Sequence, residues 1–166
     1  MDETAIALDP VLRKCWMKKG QQLAISAPAK RHQTFTVVGG YNWRQNTICW
    51  SIPEQTNSES VVAWLEHLMI DCYPTQFVVV VMDNASVHRS KMTQAAISLF
   101  EPRLMVVYLP PYASQLNPIE RYWRHLKDQV CANKLHPDLD ALRDEVVKEL
   151  ERQNDSTCGN RFHMYK

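Results

Sequence analysis

The longest clean apolar run in the chain is Phe77-Val78-Val79-Val80-Val81-Met82. An unbroken run of that length predicts a central, parallel strand covered on both faces. A second apolar run, Leu104 to Leu109, predicts another buried strand. Between them, Met92, Ala95, Ala96 and Leu99 recur at helical spacing, so 90–100 reads as a helix. Strand, helix and strand with short connections make a βαβ unit whose strands should be parallel neighbours.

The pattern before this unit has a different period. Residues 23–27 could form a short strand. The β-formers Phe35, Val37 and Val38 predict a further one that relaxes at Gly39-Gly40. The polar turn 42–46 and the β-rich stretch 47–52 complete a predicted hairpin. Thr56-Asn57-Ser58-Glu59 has the pattern of a capping box, with Thr56 as the cap and Glu59 three residues on. Val61, Val62, Leu65, Leu68, Met69 and Cys72 then predict a helix over 57–72, ended by Pro74. After the βαβ unit, Pro110-Pro111 stops the strand. Asn117-Pro118 predicts a helix start, with Asn117 as N-cap and Ile119, Tyr122, Trp123, Leu126 and Val130 inward. Asp138 should cap a last helix carrying Leu139, Leu142, Val146 and Leu150. From Gln153 the pattern dissolves, which predicts a flexible tail over 153–166. The expected fold is α/β: a mixed sheet, antiparallel strands first and then parallel βαβ, flanked by helices on both faces.

Composition adds limits. A 166-residue chain with 45% apolar and 22% charged residues suits one domain with a full core. No apolar run is long enough for a membrane span, and Met1-Asp2-Glu3 is not a signal-peptide start. Five scattered cysteines without a Cys-x-x-Cys pair argue against a zinc or disulfide framework and fit a reducing cytoplasm. The net charge of +1 is uneven. Residues 1–50 carry seven Lys/Arg against three Asp/Glu, and residues 51–100 carry two against five. Lys18, Lys19, Lys30 and Arg31 in the basic third could follow a phosphate backbone, or simply form a solvated face.

The candidate chemistry lies between 83 and 120. Ligands of open α/β sheets collect at the carboxyl ends of parallel strands, where Asp83 follows its apolar run. A carboxylate there needs a cation, donors or a proton, and capping the next turn would also satisfy it. Glu120 falls in the first turn of its helix, where a Glu can reach back to the N-cap amide or pair with Arg124. Its lead-in of two prolines, an aromatic and Asn-Pro is stiffer than a cap requires. His88 and Asn84 could orient a carboxylate or contact a phosphate. Trp16, Trp43 and Trp123 read as core or hairpin packing.

Two segments together resemble a known family. Asp83-Asn84-Ala85-Ser86-Val87-His88 and Leu109-Pro110-Pro111-Tyr112…Leu116-Asn117-Pro118-Ile119-Glu120, with 36 residues between the acids, resemble the catalytic domain of DDE-type transposases. The branch is that of bacterial insertion sequences related to Tc/mariner elements. Asp2-Glu3, followed by Trp16 and Gly20, is similar to the family's first motif, in which an Asp-Glu pair ends the first strand. The resemblance implies a ribonuclease H-like fold over 1–152, with Asp2, Asp83 and Glu120 as catalytic ligands of two Mg²⁺ or Mn²⁺ ions. It implies DNA strand cleavage and strand transfer, double-stranded DNA as partner, a homo-oligomer, and a cytoplasmic, nucleoid-associated location. His88 joins the four basic residues as a DNA contact in that reading, and Asn84 and Asn117 support the acids. Ala113-Ser114 departs from the family's usual Ser-Pro and would loosen the Glu120 loop. Little apolar sequence precedes Asp2, so the first strand is expected to be largely missing and the domain truncated. The competing expectation is a catalytically dead remnant that keeps the fold and binds DNA or a partner weakly.

Overall fold

The structure, a computed structural model, describes residues 1–21, 24, 33–111, 113, 116–155 and 162. Of the possible strand at 23–27 only Ala24 is described, in no strand, and Lys30 and Arg31 lie outside the described residues.

Three strands form an antiparallel sheet in the order β1–β2–β3: β1 (Asp2–Ala7), β2 (Thr34–Asn42) and β3 (Thr47–Ser51). The hairpin turns where expected. Asn42 Oδ1 accepts from the amides of Arg44 and Gln45, and Asn46 takes the left-handed conformation at φ 58° that an Asn tolerates. The first strand departs from expectation. It begins at Asp2 instead of ending at Glu3, and it pairs with β2 from Asp2↔Gly39 to Ala7↔Thr34. Its apolar half, Ile6 with Leu8 beyond it, follows the acids, and both side chains are buried.

Helix α1 (Ser58–His67) continues as a π-helical turn, Leu68–Cys72. Its cap sits one residue later than the pattern suggested. Asn57 accepts from the Ser60 amide, and the Ser60 hydroxyl closes the box on the Asn57 amide. Then come β4 (Val78–Met82), α2 (Lys91–Leu99, capped by Ser90) and β5 (Leu104–Tyr108). β4 and β5 are parallel, in register from Val78↔Leu104 to Met82↔Tyr108. Helices α3 (Ile119–Val130) and α4 (Leu139–Asn154, capped by Asp138) complete the order. α4 runs past 152, and Gln153 is buried, donating to the Asn46 carbonyl.

Strand alternation divides the core in two. Val37 faces α3 and α4 in a cluster with Ile6, Tyr122, Leu126, Val146 and Leu150. Its neighbour Val38 faces α1, in a cluster with Trp64, Leu65, Met69, Val80 and Met82. The two sheets meet where the Met1 nitrogen donates to the Val81 carbonyl at 2.6 Å, which sets the start of β1 beside the end of β4.

Three packing expectations are corrected. β4 and β5 are covered on one face only among the described residues. Val78, Val80 and Leu104 join the α1-side core, whereas Phe77, Val79, Met105 and Val107 are exposed. On α2 the inward residues are Thr93 and Ala96, while Met92 and Leu99 face solvent. Of the three tryptophans assigned to packing, Trp123 is buried, Trp43 is half-exposed beside Arg44, and Trp16 is fully exposed.

Candidate metal-binding active site

Asp2 and Glu3 are consecutive on β1, so their side chains leave opposite faces of the sheet. Cross-strand partners share a face, and this settles which acid goes where. Asp2 pairs with Gly39, against which the Trp123 ring of α3 lies. Trp123 is one turn beyond Glu120, so Asp2 and Glu120 belong to the same face. The charge of Glu120 acts on Asp2. Burial raises its carboxyl to about 6, with the charge of Glu120 as the next cause. Glu120 itself is exposed. It makes no ion pair with Arg124 and no bond back to the Asn117 amide among the described residues.

Asn117 is not the side-chain cap its position suggested. α3 starts at Ile119 with no side-chain cap, and the buried Asn117 amide donates to the Met1 carbonyl at 3.0 Å. That bond ties the approach to Glu120 directly to the residue before Asp2. Tyr112, Ser114 and Gln115 of the same loop lie outside the described residues, and Ala113 is buried.

Glu3 pairs with Val38 and points to the opposite face, where it meets the loop after β4. His88 Nε2 lies 2.8 Å from Glu3 Oε1, and His88 Nδ1 lies 2.7 Å from Asp83 Oδ1. The ring is fully buried. With a carboxylate on each nitrogen, it can satisfy both only as the doubly protonated imidazolium. Burial alone would lower its pKa, but the bonds to Glu3 and Asp83 outweigh that and raise it. Asp83 Oδ1 also accepts from the Ala85 amide at 2.9 Å, so the turn-capping role is met as well. The remaining carboxylate surface is open, the side chain being 43% exposed.

The loop carrying Asp83 is fastened from below. Asn84 donates to the Leu109 carbonyl, Arg89 donates to Asn84 Oδ1 at 3.1 Å, and Tyr108 donates to the His88 carbonyl at 3.0 Å. His88 is thus a positioning residue. Neither of its nitrogens is left for a phosphate, which removes it from the expected DNA contacts. Lys18 and Lys19 are exposed. Glu3 was not singled out from sequence as a site residue. Its signal was the Asp-Glu pair itself, because a period of two sends one acid to each face.

Asp2 and Glu120 thus share one face at the start of β1, and Asp83 is held to the Glu3 side of the same strand through His88. The oxygens of Asp2, Asp83 and Glu120 do not all fall within 4.8 Å of one another among the described residues. A single ion would need that convergence; two ions ~3.5–4 Å apart would not, because acids on different ions stay further apart. An all-carboxylate donor set suits a hard divalent cation. The Asp2 carboxyl is raised first by burial and then by the charge of Glu120, and a bound cation would favour its ionised form. The residues fit such a group.

Residues 1–143 match the model of the DDE superfamily endonuclease family. A curated relative, the insertion element IS630 uncharacterized 39 kDa protein of Shigella sonnei, is 24% identical over 132 residues. That alignment takes in 80% of this chain and 38% of the relative, so the chain spans well under half of that protein's length. Among solved structures, the Mos1 transposase paired-end complex with left transposon end aligns with 98% of this chain and 55% of its own, at TM-score 0.63 and 15% identity. The Mos1 mariner paired-end complex with Mn gives 0.61 at 15%, over 98% of this chain and 55% of that one. At those identities the likeness concerns the fold, which is that of the Mos1 transposase catalytic region.

Proposed function

The chain belongs to the DDE superfamily of endonucleases, and from that premise we propose that it is the catalytic domain of an insertion-sequence transposase, cutting DNA strands and transferring their ends. In this reading Asp2, Asp83 and Glu120 hold two Mg²⁺ or Mn²⁺ ions. The observation that carries it is the placement of Asp2 and Glu120 on one face, reached from β1 and α3 together, with Asp83 held at the same strand start through His88. When bound, such ions polarise a phosphodiester and activate a water or a 3′-hydroxyl for in-line attack. The protein's own contribution is positional. Asn117 sets the approach of Glu120, and His88 holds one oxygen of Asp83 so that the other faces outward.

Residues 1–152 form the catalytic domain in this proposal, with 153–166 as its C-terminal extension. Double-stranded DNA is the substrate, and the active form is a homo-oligomer acting on paired DNA ends. Support comes from the fold neighbours, which were solved as a paired-end complex with a transposon end and as a strand transfer complex. Two of them are titled as complexes with Mn and with Mg. Lys18 and Lys19 are proposed to contact phosphates, together with Lys30 and Arg31. No described helix is long and apolar enough to cross a membrane.

The test is nicking of supercoiled plasmid in Mg²⁺ by the wild type and by Asp83→Ala. The proposal expects nicked product from the first alone and none with EDTA. Equal nicking by both proteins would refute it.

A further inference from the structure

A second cluster of ligating side chains lies away from the acids, on the opposite face of the antiparallel sheet. Cys49 on β3 pairs with Gly40, whose face is covered by Trp64 of α1. Across from it stand His67, the last residue of α1, and Cys72, the last residue of the π-helical turn. One donor atom from each of the three lies within 4.8 Å of the others.

The chain geometry explains how residues five apart come to one side. In an α-helix, positions i and i+5 diverge. The turn 68–72 is wound i→i+5, closed by the Tyr73 amide on the Leu68 carbonyl at 2.9 Å. That wider winding brings Cys72 back beside His67, with Cys72 Sγ 3.6 Å from His67 Nε2. A thiolate and an imidazole nitrogen on one tetrahedral zinc are separated by ~3.6 Å, given Zn–S ~2.3 Å and Zn–N ~2.0–2.1 Å. His67 Nδ1 bonds Asp71 Oδ2 at 2.8 Å, which fixes the tautomer that leaves Nε2 as the ligand.

The sulfurs of Cys49 and Cys72 are 2.7 Å apart. That is longer than the ~2.03–2.05 Å of a disulfide and shorter than the ~3.8 Å of two thiolates sharing a zinc. To share a zinc the two sulfurs would have to stand about 1 Å further apart than they do. A metal bound here would ionise both thiols. A disulfide would use the two sulfurs and leave the oriented His67–Asp71 pair without a task. A cation uses all four residues.

We propose that Cys49, His67 and Cys72 form a zinc site, with Asp71 orienting the histidine and water in the fourth position. The site clamps the end of α1 to β3. It is chemically distinct from the carboxylate centre, which suits hard cations.

The test is titration of the full, reduced chain with Co²⁺, followed by competition with Zn²⁺. The proposal expects one equivalent with the visible bands of a tetrahedral ion and thiolate-to-cobalt charge transfer, displaced by zinc. Cys72→Ala and His67→Gln should lose the charge-transfer signal or the tetrahedral spectrum while keeping the wild-type circular dichroism. Asp71→Asn should weaken zinc binding ~10–100-fold. Cys15→Ala, an exposed control, should change nothing. Absence of thiolate bands in the folded, reduced protein would overturn the proposal. So would bands that survive Cys72→Ala, or a Cys49–Cys72 disulfide forming in a protein that takes up no cobalt.

Discussion

Gly39 is where the fold and the acidic site depend on the same missing atom. A Cβ at Gly39 would stand 2.8 Å from Trp123 Cη2, 3.2 Å from Cζ2 and 3.4 Å from the Cys49 carbonyl. Backbone conformation does not forbid alanine there, because Gly39 is an extended strand residue without positive φ. The obstacle is space. Trp123 is 2% exposed and wedged beside Tyr122, so its ring has no free direction of retreat. Overpacking of this kind costs ~1–3 kcal/mol, and the lower chain entropy of unfolded alanine returns ~0.4–1 kcal/mol. The net expectation for Gly39→Ala is a loss of about 1–2 kcal/mol. At a urea slope of ~1–3 kcal/mol/M this shifts the midpoint down by roughly 0.3 to 2 M. There is a functional consequence too. The ring can yield only by moving α3, which carries Glu120 away from Asp2, so Mn²⁺ affinity should fall together with stability. Gly40→Ala is the control. Its Cβ would meet Trp64 of α1 at 2.7 and 2.9 Å on the other face. It should cost similar stability and leave Mn²⁺ affinity unchanged. Urea unfolding and Mn²⁺ titration of both variants decide the matter. Unchanged stability in Gly39→Ala, or equal loss of metal in both, would refute the reasoning.

Three further predictions follow from the site. His88→Ala strips the buried cation from between Glu3 and Asp83 and should cost about 3 kcal/mol, near the lower end for breaking such a pair because Asp83 is partly solvated; a urea midpoint equal to wild type would count against the bridge. Asn117→Ala removes the bond to the Met1 carbonyl and should cost ~1–2 kcal/mol, with weaker Mn²⁺ binding as the sign that Glu120 has lost its approach. In EDTA the contributions of Asp2 and His88 to stability should each fall as pH rises, in separate windows. The folded-state pKa of Asp2 is raised, so its contribution falls away between about pH 4 and 6, and the raised His88 contributes below its unfolded value of ~6.5 and is lost as pH climbs through its folded value. Urea midpoints should fall across the lower window for the wild type, and Asp2→Asn should flatten that fall.

Much of the architecture was legible because period and punctuation agreed. The hairpin, the βαβ unit, the Asp138 cap and the α3 stripe all combined an apolar repeat with turn or cap residues. The misreadings came where one signal stood alone. β4 and β5 are apolar on both faces, but a run of valines cannot say whether anything packs on the second face. The first strand was sought before Asp2 because the acid pair was taken as its end, whereas Ile6 and Leu8 after the pair carry its core contacts. The three acids proposed as ligands were singled out through paired motifs. The partners that hold them were not, because His88 reaches Glu3 across 85 residues and Asn117 reaches Met1 across 116. Cys49, His67 and Cys72 escaped for a similar reason. Two of them meet only through a π-wound turn and the third comes from a neighbouring sheet, a spacing no short motif describes.

The most direct test of the central claim is calorimetric titration of the protein with Mn²⁺, comparing wild type with Asp2→Asn, Asp83→Asn and Glu120→Gln. If the three carboxylates form one two-ion centre, the wild type binds two equivalents saturably, and each substitution removes or severely weakens binding while the fold, followed by circular dichroism, is kept. Undiminished binding in any one of the three variants would show that this acid is not a ligand and would contradict the account.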